Sequence, residues 1–128
     1  MDFENLAGSL NEVGRVLTPG GSFTFVMAHP AFLVPEGERT TVGAERPAFA
    51  VTAYFGERHW RSSNPEGVRR AGYFHRPLAT YLTLLSQAGF DLEEAFEPRG
   101  SDTLVEAQPI YGEVPMFFVA RYRKRSAS

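Results

Sequence analysis

The stretch LNEVGRVLTPGGSFTFVM, Leu10 to Met27, decides the fold. Its first half continues an apolar spacing begun upstream: Phe3, Leu6, Leu10, Val13 and Leu17 recur at intervals of three and four, one face of a helical repeat. Asp2 is placed to cap that helix. Gly8 and Gly14 lower its helix propensity but let a neighbouring element approach closely, and Thr18-Pro19-Gly20-Gly21 ends it sharply. From Ser22 to Ala28 the chain is mostly apolar without clean alternation, the pattern of a strand covered on both faces. The expectation is a parallel, interior strand.

Downstream, His29 to Arg76 is richer in proline, glycine and charge, and too long for a bare connection. Val51 to Arg61 is rich in β-branched and aromatic residues, the segment SSNPEG at 62–67 is a turn signal, and Val68 to Phe74 reads as the returning strand. This predicts an inserted β-hairpin, a lid within residues 30–74. Pro77 suits the first position of a second helix, whose Leu78, Leu82, Leu85 and Gly89 share one face. Phe90 to Glu97 reads as a strand ended by Pro98, Arg99 to Glu113 as a loop, Val114 to Tyr122 as a final strand and Arg123 to Ser128 as a fraying tail. Residues 1–128 read as one domain with no internal repeat.

Composition narrows the function classes. With 43% apolar and 13% aromatic residues, the 128-residue chain is that of a packed globular protein rather than a disordered one. Thirteen Lys and Arg against 15 Asp and Glu give a net charge of -2, so no global positive field attracts nucleic acid or a membrane surface. The absence of cysteine excludes disulfides, a thiolate nucleophile and Cys-ligated metals, and points to a reducing, cytoplasmic compartment. The longest apolar run, Phe23 to Val34, is broken by His29 and Pro30 and is too short to span a bilayer, and the start lacks a basic leader.

The order helix, Pro-Gly-Gly turn, buried strand, long insertion, helix, strand, strand resembles the C-terminal half of class I S-adenosylmethionine-dependent methyltransferases. The residues that carry it are Leu10, Glu12, Arg15, Val16, Leu17, Pro19, Gly20 and Gly21, then the strand Phe23 to Met27. His29-Pro30, Tyr73-Phe74-His75-Arg76-Pro77-Leu78, Leu85, Ala88-Gly89-Phe90 and Glu97-Pro98 look like the small-molecule branch of that family. The resemblance implies an α/β fold: a partial Rossmann-like methyltransferase sheet, with strands equivalent to five, six and seven and two helices, plus an inserted β-hairpin. It also implies methyl transfer from S-adenosylmethionine to a small-molecule acceptor, with this chain as the acceptor side.

The family's cofactor site uses a Gly-rich strand-to-helix turn and a ribose-binding acid. Here Gly20-Gly21 joins helix to strand and no G-x-G-x-x-G occurs, so no cofactor-binding residues are assigned and the chain alone is expected to bind S-adenosylmethionine poorly. A strand whose family neighbour is missing leaves an unpaired sheet edge, which predicts a homo-oligomer. The alternatives are a non-catalytic remnant acting as a partner-binding or dimerisation module, and an unrelated small α+β ligand-binding domain.

Two histidines are candidate catalytic groups. His29 follows the buried strand, at the carboxyl edge where open α/β sheets bind ligands; it either accepts the acceptor's proton or only hydrogen-bonds a loop. His75 and Arg76 precede the second helix, beside its free amides and positive dipole. There His75 is a candidate base, and Arg76 either binds a substrate carboxylate or phosphate or pairs with a local carboxylate. Tyr54, Trp60 and Tyr73 are candidate substrate contacts in an aromatic cluster with Phe55 and Phe74, set against ordinary cross-strand packing. His59 is expected at the surface. The three histidines lack metal-ligand spacing, and Arg121, Arg123, Lys124 and Arg125 read as a solvated basic end.

Overall fold

Helix α1 spans Leu6–Val16 and buries Leu6 and Leu10, two of the residues whose spacing predicted it. This computed structural model describes residues 3–34, 37–61 and 72–126. Asp2, expected as the cap, lies outside them; Asn5 caps α1 instead, its side-chain oxygen accepting from the Gly8 amide at 3.0 Å. At the other end Lys124 donates from Nζ to the carbonyls of Gly14 and Leu17, placing a cation where the helix leaves carbonyls unsatisfied. Gly20, at φ 79°, then turns the chain into β1, Ser22–Ala28.

Strand β1 pairs antiparallel with β7, Phe117–Lys124, and β7 pairs antiparallel with β6, Phe90–Phe96, in the order β1-β7-β6. Because both neighbours oppose β7, β1 and β6 run the same way and end at the same edge of the sheet. One face carries α1 and α2, Leu78–Gln87, over a core of Leu6, Leu10, Met27, Tyr81, Leu85, Phe90, Phe118, Ala120 and Tyr122. Phe23 meets Phe90 edge-on at 5.0 Å and Phe25 stacks on Tyr122 at 6.0 Å. Burying a side chain such as Phe90, 1% exposed, contributes about 1.5–3 kcal/mol.

The bounds of β1 match the sequence reading, but its environment does not. Among the described residues it pairs directly only with an antiparallel strand, and it is covered on one face. Phe23, Phe25 and Met27 alternate inward, while Thr24 and Val26 point out. Val26 is apolar yet 60% exposed, so an apolar composition masked a period of two. The outer face carries Val26, Val119 and Phe96 in cross-strand register, beside a charged row in which Arg121 pairs with Glu93 and Glu94, and Arg123 with Glu93.

The insertion holds two short ladders. β2, Glu38–Val42, pairs with β3, Arg46–Ala50, around a turn containing Gly43 at φ 66°; this hairpin was not anticipated, since Pro47 argues against a strand. β4, Arg58–Trp60, pairs with β5, Tyr73–His75. The expected strand from Val51 is reduced to its last residues, because Ala53 adopts φ 53° and breaks the extended run. Residues 62–71, including the expected turn and Val68 to Ala71, lie outside the described residues.

Three further expectations are corrected. The loop Arg99 to Glu113 contains α3, Asp102–Ala107, capped by the Ser101 hydroxyl, and a 3-10 helix at Pro109–Gly112; Ile110 and Tyr111 pack on Leu33 in a second small core. The last strand starts at Phe117, after Pro115, and runs on to Lys124. The expected tail is bonded as far as Arg125, which donates to the Asp91 carboxylate and the Ser86 carbonyl; residues 127–128 lie outside the described residues. The described residues form a mixed α/β fold with a small antiparallel sheet and three α-helices. Among the described residues, no helix is long and apolar enough to cross a membrane, and no group of His and acidic side chains is placed to hold a metal.

Candidate functional site

Where β1 and β6 end side by side, the first residues beyond them meet. His29 follows Ala28 and Glu97 follows Phe96, and Nε2 of His29 is hydrogen-bonded to Oε2 of Glu97. The His29 amide donates to the Met116 carbonyl just before β7, so the backbone fixes this junction. The imidazole is 2% exposed and sits against Phe32 and Phe118, at 4.8 and 6.0 Å between ring centroids. Its Nδ1 accepts from the Ala31 amide at 3.1 Å, which places the ring hydrogen on Nε2, directed at the carboxylate.

Both ring nitrogens are thus engaged, and the group facing outward is Glu97, about half exposed. It lines a cavity of about 310 Å³ with Pro98, Arg99, Tyr111, Glu113 and Pro115. Arg99 lies 3.8 Å from Asp102 and Glu113 lies 3.3 Å from Arg46, so the rim carries both signs of charge. Such a cavity can hold a small polar molecule with one edge against a fixed carboxylate. Sequence reasoning placed His29 at this edge but did not assign Glu97 a role; the available signal was that each residue comes first after a strand.

The other sequence candidates gather on the far side of the His29 turn. The Tyr73 hydroxyl donates to the Leu33 carbonyl at 3.1 Å, docking β5 on that turn. His75, 2% exposed, donates from Nε2 to the Tyr54 carbonyl at 2.7 Å. Burial pushes its pKa below the ordinary imidazole value, aided by the Arg58 charge and opposed by the Tyr54 hydrogen bond and by Glu57. The helix-end effect proposed from sequence is not the leading cause. The Tyr54 hydroxyl accepts from the Leu78 amide at 3.0 Å, so it occupies the start of α2 where a ligand anion was considered.

Arg76 reaches away from that helix end. Its Nη2 donates to the carbonyls of Phe3 and Glu4 at 2.6 and 2.8 Å, holding the chain that leads into α1, and its guanidinium lies 5.6 Å from the Phe74 ring centroid. No carboxylate among the described residues pairs with it. Tyr73, His75, Arg76, Pro30 and Leu33 line a cavity of only about 10 Å³, room for about one water. Trp60 packs edge-on against Tyr73 at 5.5 Å across the β4–β5 ladder, and His59 is exposed as expected. The structure therefore brings Tyr54 to His75 and Trp60 to Tyr73, and sets His29 with Glu97 at a separate place.

Solved structures share this overall fold, the following two among them. One is an S-adenosylmethionine-dependent methyltransferase from Mesorhizobium loti, 25% identical, with a TM-score of 0.75 over 94% of this chain and 56% of its own. The second, assigned to the same enzyme class and from Listeria monocytogenes, is 23% identical, with a TM-score of 0.74 over 94% of this chain and 55% of its own. The fold is a methyltransferase fold. The chain spans a little over half the length of both neighbours. No protein-family model and no curated protein matches it by sequence.

Proposed function

We propose that this chain is the acceptor-side part of an S-adenosylmethionine-dependent methyltransferase acting on a small molecule, equivalent to the C-terminal half with strands five, seven and six. The observation that carries the reading is the His29–Glu97 pair beside a cavity at the carboxyl edge of β1 and β6, where α/β sheets place their ligands. A hydroxyl or amine acceptor must lose its proton as its new bond forms. Glu97 is the carboxylate placed to take it, and His29 is a positioning residue that fixes the carboxylate through Nε2–H.

The described residues do not fit the cofactor. Of the two described strand-to-helix junctions, Arg76-Pro77 has no glycine and the one from β6 to α3 has the single Gly100, whose Cβ position is filled by Tyr111 at 3.0 Å. Gly20 sits in a helix-to-strand turn with nothing within 4 Å of the position its Cβ would occupy, so it cradles nothing. His75, with Tyr54, Trp60, Tyr73 and Arg76, remains a second candidate cluster for substrate contact. A partner-binding reading is favoured by one observation: β1 has no neighbour on its outer side among the described residues, and Val26 at its centre is exposed. We assign that edge to association with a second copy.

The test is a pair of titrations on the chain. Calorimetry with S-adenosylmethionine is expected to show no micromolar affinity, on the order of -8 kcal/mol; finding it overturns the acceptor-only reading. A panel of small phenols, amines and hydroxy acids, followed by amide NMR shifts at Glu97 and Arg99, is expected to yield binders that Glu97→Gln loses. A panel without any such binder overturns the Glu97 site.

A further inference from the structure

Two opposite charges line the Glu97 cavity without pairing with each other. Glu97 keeps one carboxylate oxygen, Oε2, on His29, whereas its Oε1 takes no hydrogen bond among the described residues and the side chain is half-exposed. Its charge is also unopposed. The Ala31 amide donates to Nδ1 of His29, so that nitrogen holds no proton and the imidazole is neutral, a hydrogen-bond donor rather than a counter-ion. Glu97 makes no ion pair with any described Lys or Arg.

The cation is Arg99, whose side chain is exposed. Its contact with Asp102 is 3.8 Å, too long for a hydrogen bond, and Asp102 is fully exposed, so solvent screens the pair and the guanidinium keeps its donors for a ligand. The charged end of Arg99 reaches the cavity wall. Its Nη2 lies 3.1 Å from the position a Cβ on Gly112 would occupy, and Gly112 lines the cavity beside Tyr111. The third lining charge, Glu113, is held by Arg46. Tyr111, Val114 and Pro115 supply an apolar wall.

We infer that the Glu97 cavity takes a small zwitterion, an amino acid with an apolar side chain. The ammonium meets Oε1 of Glu97, the carboxylate meets the Arg99 fork, and the side chain lies against Tyr111, Val114 and Pro115. A plain amine gains nothing from Arg99, and a plain acid faces the Glu97 charge; the molecule that uses both groups carries both charges. Glu97 and Arg99 are two residues apart, a span of at most about 7 Å, so their side chains can reach the two ends of one amino acid. A volume of about 310 Å³ suits a ligand of that size. The inference rests on the reading of Glu97 as the acceptor site and narrows its occupant to one class.

The test is an amide NMR titration of the whole chain with three probes of one skeleton: phenylalanine, phenethylamine and 3-phenylpropanoate. Phenylalanine is expected to bind tightest, with about a tenfold loss on removing either charge and with shifts at Glu97, Arg99 and Tyr111 to Val114. In Glu97→Gln its affinity should fall to that of 3-phenylpropanoate, and in Arg99→Gln to that of phenethylamine. Both side chains are half or more exposed, so neither change should cost the fold. Phenylalanine binding no tighter than either single-charge probe overturns the inference, and phenethylamine binding that still needs Glu97 would then leave the acceptor site standing. An ammonium preference that disappears in Glu113→Gln and survives in Glu97→Gln overturns it too. So does the absence of binding by all three at millimolar concentration; the acceptor reading falls with it only if phenols and hydroxy acids also fail to bind at Glu97.

Discussion

The β1-β7-β6 sheet with α1 and α2 is held differently from the insertion between His29 and Arg76. In the first, large apolar side chains from five elements converge on one core, and Phe90 and Leu85 are each 1% exposed. In the second, β2 is exposed along its whole length, and the β4–β5 ladder spans three residues a side. The insertion stays in place through directed hydrogen bonds: within it, Tyr73 donates to the Leu33 carbonyl and His75 to the Tyr54 carbonyl, and from α2 the Leu78 amide donates to the Tyr54 hydroxyl and the Thr80 hydroxyl to the Glu57 carboxylate. Burial secures the platform, and a few directed bonds secure the part that lines cavities.

The largest test of that contrast is a matched pair of truncations. Phe90→Ala is expected to cost about 3–5 kcal/mol in chemical denaturation, as for a fully buried aromatic. Phe49→Ala, half-buried on β3 at the edge of the second cluster, is expected to cost on the order of 1 kcal/mol, typical of a less buried site. Similar losses at the two sites would mean that the insertion belongs to the same cooperative core. Next in size is Arg76→Met, which removes the donors to Phe3 and Glu4. Hydrogen bonds from a charged donor are worth roughly 1.5–3 kcal/mol each, but deleting a buried guanidinium with one unpartnered nitrogen offsets part of that. A net loss of about 2 kcal/mol is expected, with faster hydrogen exchange at the first amides of α1 and little change in β6. Uniform acceleration would show that Arg76 holds more than the lead-in to α1.

What the sequence disclosed follows the same division. The helices α1 and α2 were legible because burial imposes a period on their residues, Leu6 and Leu10 in α1 and Leu85 in α2, although Tyr81 fills the α2 core where Leu82 was expected and Leu82 is exposed. Strands β1 and β6 were legible from apolar content between turn signals, without a readable period. The β2–β3 hairpin was not, since an exposed ladder of Glu, Arg and Thr against a strand containing Pro47 carries no apolar pattern to read. His29 was legible as a strand-end residue. Its partner was not, because the pairing joins residues 68 apart and depends on the antiparallel insertion of β7 between two parallel strands. Arg76 was read as an anion site from its place before a helix, whereas its side chain turns to backbone carbonyls that only the tertiary fold brings near.

The His75 bond gives a smaller, pH-dependent test. Burial lowers the imidazole pKa in the folded state, so below about pH 6.5 the unfolded chain takes up the proton first. The contribution is complete above the unfolded value and is lost as pH falls through the folded one. Stability should therefore decline on acidification with an added slope of at most about 1.4 kcal/mol per pH unit. His75→Gln should remove that slope at neutral cost to the β1-β7-β6 core, read from denaturation midpoints between pH 7 and roughly pH 5. An unchanged slope in the variant would assign the acid sensitivity to another group.

The smallest effect on stability tests the sheet's open side. Val26 is 60% exposed at the centre of β1, and the strand has no described neighbour beyond it. Replacing it with Lys removes no buried contact, so stability should move by no more than about 0.5 kcal/mol. A charge on an edge strand, however, opposes pairing with another chain, because the ammonium would have to enter the new interface. If two copies join through β1, light scattering on a dilution series should show a dimer for the parent chain and a monomer for Val26→Lys, at equal folded fraction. Phe96→Lys, in the same outer row but on β6, the opposite edge of the sheet, separates pairing through β1 from face-to-face packing. Edge pairing predicts that only the Val26 variant dissociates; loss of the dimer in both assigns the association to the apolar row itself, and a parent chain that is monomeric throughout removes the edge as an interface.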